Sequence, residues 1–151
     1  SRNDERYGEP WASYMLYLDW ESVKPKFLWS GTGMSEPAYA TANQPAQHGV
    51  WQHVAAVRDG ETLRVYLNGV EVTDPTYSGG APPSGVLLDS EWGLRIGAEN
   101  ASADDGNWKY VGAIDEVRLS HTARTGSWLR LCHENQKPGS QVVRLLPEVL
   151  Q

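Results

Sequence analysis

Trp51–Thr73, WQHVAAVRDGETLRVYLNGVEVT, decides the fold. Asp59-Gly60 and Asn68-Gly69 each separate apolar runs, and such pairs mark tight hairpins because both central residues tolerate positive φ. Between them Leu63, Val65 and Leu67 alternate with Arg64 and Tyr66. A period of two belongs to a strand with one dry face and one wet face. The stretch therefore predicts three antiparallel strands joined by two short turns, with Leu63–Leu67 paired to Val70–Thr73. His53 lies in the first of these strands, where a hydrogen-bonded structural role is expected.

The pattern extends in both directions. Ser13–Asp19, Lys26–Ser30 and Ala38–Ala42 read as strands upstream. Trp92–Ala98 and Trp108–Ser120 read as strands downstream, the latter the longest, with Gly112 as a bulge or close approach. Pro75–Gly85, rich in Gly and Pro, is a loop. One helix is expected near the C-terminus, capped by Thr125 or Ser127 and closed by Lys137-Pro138-Gly139. Trp128, Leu131 and Cys132 fall at helical spacing and form its expected apolar face. A final strand is expected over Gln141–Leu145. Many strands, regular turn signals and one short helix predict an all-β antiparallel sandwich or jelly roll. At 151 residues the chain is expected to be a single domain.

Composition narrows the function. The net charge is −6, with no run of Lys or Arg. That excludes nucleic acid and an anionic membrane surface as expected partners, since both are held by clustered cations. No stretch approaches the roughly 20 apolar residues of a spanning helix, and no signal peptide is visible. Cys132 is the only cysteine, so no intrachain disulfide forms; it is expected to be buried and inert. Seven Trp and seven Tyr stand against one Phe. Trp and Tyr pair an apolar ring with a polar handle and serve wet contacts as well as cores. Trp20, Trp29, Tyr39 and Tyr77 are nearest the expected loops and are the candidate ligand-binding rings.

The string W-x-H-V-A-A-V-R-D-G-x-x-L-x-V-Y-L-N-G-V, then LRIGAEN, GAIDEVRLSHTARTGSWL and NQKPGSQVV, resembles the laminin-G-like jelly roll of the concanavalin A-like lectin/glucanase superfamily, in the version found in large secreted bacterial proteins. The resemblance runs from Ser13 to Val143. It implies a concanavalin A-like sandwich and a secreted or cell-surface location. It also implies further strands before the segment opened by SRNDERYGEP. A trimmed N-terminus would leave an open strand edge and an uncovered apolar slot lined by Leu16, Leu18 and Val117, so a homo-oligomer is expected.

The same resemblance implies that Asp115 can hold Ca²⁺ with backbone oxygens of N-terminal strands. Calcium takes about six to eight oxygens, so one Asp needs much help; otherwise Arg118, Arg124 or backbone N–H groups fix it. Asp104 and Asp105 in Asn100–Asn107 are further candidate calcium ligands, against the alternative of a solvated turn. Superfamily glucanases carry E-x-D-x-x-E, which sets two carboxylates about 5–5.5 Å apart on one strand face. No such string exists here, nor a nucleophile elbow or zinc spacing. The chain is therefore expected to be no enzyme but a non-catalytic binding or accessory module, with carbohydrate as the candidate ligand. A structural self-association domain is the alternative, and a glycoside hydrolase ranks last.

Overall fold

The computed structural model describes residues 13–32, 34, 36–76, 85–88, 94–98 and 109–140. β1 (Tyr14–Leu18), β2 (Pro25–Trp29) and β3 (Ala38–Thr41) form one antiparallel sheet in that order. β4 (Val54–Asp59), β5 (Thr62–Leu67) and β6 (Val70–Glu71) form a second. α1 (Gly126–Gln136) follows.

Strand register decides what each face buries. Phe27, Trp29, Ala38 and Ala40 of the first sheet meet Leu63, Val65 and Leu67 of the second in one core, with Met34, Ala42 and Val72 at its margins. Small alanines on β3 let β5 approach closely, and Val65 and Ala40 are fully buried. On the other face of the second sheet Tyr66 and Val57 pack with Leu129 of α1, flanked by Ala55 and Trp128. The helix thus covers the outer face of the meander. Together these layers form a mostly β fold consistent with a concanavalin A-like sandwich, as the sequence predicts.

Both turns of the deciding stretch form. Leu67 pairs with Val70, and Asn68 and Gly69 carry φ of 53° and 75°, as a two-residue hairpin requires. The first turn is displaced by one residue: Asp59 pairs with Thr62, so Gly60-Glu61 make the loop, with Gly60 at φ 59°. The second strand pair is short, because the chain leaves β6 to bond Asn43 and bridge Ala42 through Thr73.

The downstream strands differ from expectation. Residues 94–98 and 109–120 carry a single bridge, Ala98 with Lys109, and a Tyr110 N–H bond to Gly97 O. Glu116 sits at φ 54°, which breaks an extended run, and all of 111–120 is exposed. Alternation there records an apolar face, but a ladder also needs a partner edge. The remainder of both expected strands, and Gln141–Leu145, lie outside the described residues. The helix begins as expected, with Thr125 Oγ1 accepting from Trp128 N. Its buried residue is Leu129 rather than Leu131, which is 52% exposed, and Cys132 is only half-buried.

Candidate functional site

Asp19 builds the turn between β1 and β2. Its Oδ1 accepts from the N–H of Glu21 and of Ser22 and from Ser22 Oγ, at 3.2, 3.0 and 2.8 Å. These bonds, the Ser22 ones foremost, hold the carboxyl below its ordinary range. Its main chain closes the turn with Lys24 O and Val23 N–H, and Val23 is held at φ 55°. A β-branched residue rarely adopts that conformation, so the turn is fixed at a cost. The result is to present Trp20, 74% exposed, outside both sheets.

A second loop is bonded to this turn. Ala46 N–H donates to Val23 O at 3.0 Å, and Gln47 N–H donates to Gln52 Oε1 at 2.6 Å. The loop so tied carries Val50 and Trp51, 58% and 69% exposed. Two indoles therefore stand in water on adjoining loops. Water gains nothing from such surfaces, and their exposure marks a contact region.

One pair inward from the turn, Tyr17 lies opposite Lys26 across β1 and β2. Lys26 Nζ sits 6.0 Å from the Tyr17 ring centre and 4.9 Å from that of Tyr39 on β3. The three half-buried side chains make a ring–cation–ring row across the sheet face turned away from the main core. Aromatic faces suit the C–H surfaces of flat ligands, and the ammonium suits an oxygen or anion. Trp20, Trp51 and this row form the candidate contact region.

Of the rings chosen from sequence, Trp20 and Tyr39 fall in that region. Trp29 does not: it is 4% exposed in the main core, and the Arg58 guanidinium lies 3.8 Å over its ring. Trp29 shares its face of β2 with Phe27, so it is an inward strand position. Tyr77 lies outside the described residues. Sequence reasoning missed Trp51, because its ring heads the apolar run of the first meander strand and reads as part of the sheet. It also missed Tyr17 and Lys26, whose parity opposes that of the core residues Phe27 and Trp29.

Of the acidic candidates, Asp115 alone lies among the described residues. Asp115 is exposed, and its Oδ1 accepts from Glu116 N–H at 2.8 Å, one of the backbone fixings expected. Arg118 instead grips Glu116 at 2.6 Å, while Arg124 bonds Ser120 and lies over Trp128. Asp104 and Asp105 lie outside the described residues. Among the described residues no group of three His, Cys, Asp or Glu side chains could share a metal ion.

His53 departs from the expected role. Its backbone exchanges two bonds with Asn68, 3.0 Å to Oδ1 and 2.7 Å from the Asn68 N–H, which pins the hairpin. Its ring Nδ1 is buried with no partner.

A laminin-G-type family described as the concanavalin A-like lectin/glucanases superfamily matches residues 2–130. Among solved structures, the chain is similar to residues 221–444 of an S-layer domain-containing protein from Clostridium thermocellum. The two share 25% identity with a TM-score of 0.45, over 73% of this chain and 51% of that one. The chain thus spans about half the length of that structure. No curated protein matches it. Among the described residues no helix is long and apolar enough to cross a membrane.

Proposed function

The chain belongs to the concanavalin A-like lectin/glucanases superfamily, and from that premise we propose that it is a non-catalytic binding module whose ligand is a carbohydrate. The observation that carries this reading is the pair of exposed indoles, Trp20 and Trp51, on two loops bonded to each other. The Tyr17–Lys26–Tyr39 row adds half-exposed rings beside them. Sugar rings offer apolar C–H faces to such surfaces, and Gln47 and Gln52 on the same loop supply amide groups for hydroxyls. Lack of the E-x-D-x-x-E string in the sequence favours binding over hydrolysis. The resemblance to modules of secreted proteins favours a secreted or cell-surface setting.

Affinity electrophoresis through gels cast with different polysaccharides tests this. At least one polymer should retard the wild-type chain, and Trp20→Ala should migrate as in a blank gel. Equal mobility of both proteins in every gel would refute the reading.

A second reading, a structural self-association domain, is favoured by a separate observation. Val86, Leu94, Ile96, Val111, Val117 and Leu119 are all more than half exposed. Exposed apolar side chains in such number suit a protein contact.

A further inference from the structure

The helix–meander contact carries two histidines. His133 of α1 and His53 at the entrance to β4 lie with ring centres 6.1 Å apart and planes tilted by 38°. Around them the helix presses on the turn that His53 pins: a Cβ on Gly69 would meet Arg130 Cα at 2.6 Å. Gly126, at the start of the helix, lies against the Tyr66 ring, and Leu129 is buried with Tyr66 and Val57. Two histidine rings are thus built into the contact that holds α1 to the sheet.

The charges facing this pair are mostly positive. From the 109–120 segment Arg118 acts on His53. From α1 itself Lys137 and Glu134 act on His133, and Arg130 backs the turn. Glu134, the carboxylate that acts on His133, is engaged by Lys137 at 2.7 Å, Arg118 is paired with Glu116 at 2.6 Å, and Glu71 of β6 is paired with Arg64 at 3.8 Å. A proton added to either ring finds another imidazole and cations. Among the described residues the buried Nδ1 of His53 has no hydrogen-bond partner.

We propose that His53 and His133 form an acid-sensitive latch, which holds α1 on the meander when both rings are neutral and releases it when they take up protons. Desolvation, then each ring's cationic neighbours, lowers the affinity of both imidazoles for protons below the ordinary 6.5. The unfolded or released state therefore binds more protons than the latched one between the lowered values and about 6.5. The latch is at full strength above about 6.5 and weakens as pH falls through the lowered values. Release uncovers Tyr66, Val57 and Leu129, an apolar face hidden while the helix is down.

Cys132, on the helix beside His133 and half-buried with Arg118 Nη1 3.9 Å from its Sγ, is a built-in reporter. Its labelling by dithiodipyridine, which reacts in acid as well as at neutral pH, is measured in the native chain and in denaturant at each pH. The ratio of the two rates gives the protection. From about pH 8 to about pH 5 wild-type protection should fall severalfold, because the released state binds protons more tightly than the latched one. In His133→Gln and in His53→Gln it should stay nearly flat. Constant wild-type protection, or an equal fall in both variants, would overturn the latch. Imidazole proton NMR of the wild type and His133→Gln adds an arm that needs no thiol chemistry. The His53 midpoint should lie below 6.5 and rise when His133 is removed, and a midpoint that does not move would also overturn it.

Discussion

Gly69 carries two duties that no other residue type performs together. Its φ of 75° completes the hairpin with Asn68, and its lack of a Cβ lets Arg130 of the helix settle on the turn. Gly69→Val should therefore cost at least about 2 kcal/mol, from strain at positive φ plus displacement of the helix backbone. Urea unfolding followed by circular dichroism measures it, and an unchanged midpoint would show that the turn is not held this way. Trp29 illustrates the opposite duty. A large ring beside an expected loop reads as a ligand contact, yet Trp29 alternates in phase with Phe27 and turns inward under Arg58. Trp20 is one position beyond the same kind of boundary and points the other way, because Asp19 gathers three hydrogen bonds and stops the strand.

At the scale of elements, α1 separates two readings of its own sequence. Trp128, Leu131 and Cys132 fit a helical stripe, but the residue the structure buries is Leu129. Leu129→Ala should cost about 2–3 kcal/mol, and Leu131→Ala should stay within about 0.5 kcal/mol. Equal losses in thermal unfolding would restore the stripe read from sequence. The meander was legible because each of its signals is local: alternation in β5, Asn68-Gly69 in the turn, Thr125 at the cap. The stripe was not, because the position of a helix about its axis is set by what it lands on, here Tyr66 and Gly69. Residues 109–120 were misread for a related reason. Val117 and Leu119 alternate as a strand should, but pairing depends on a partner edge that no local pattern reports. The contact region was half legible. Trp20 and Tyr39 are rings near turns, whereas Lys26 joins Tyr39 only through a cross-strand register, and Trp51 joins Trp20 only through the Ala46–Val23 bond.

At the scale of the molecule, two surfaces compete to explain why so much apolar area faces water. The exposed apolar side chains of Val86, Leu94, Ile96, Val111, Val117 and Leu119 suit a second protein chain, and the indole-bearing loops suit a ligand. Light scattering at increasing concentration should report a rising mass if these side chains join copies of the chain, and Val117→Lys with Leu119→Lys should abolish the rise. A constant monomer mass would remove self-association. The binding reading rests on the other surface, and its most direct measurement is a titration calorimetry comparison. The polysaccharide that retards the wild-type chain is titrated into wild type, Trp20→Ala and Trp51→Ala, each first shown by circular dichroism to keep its fold. The account predicts a tenfold or greater loss of affinity in each variant, which is about 1.4 kcal/mol or more per indole. Undiminished affinity in both folded variants would contradict it.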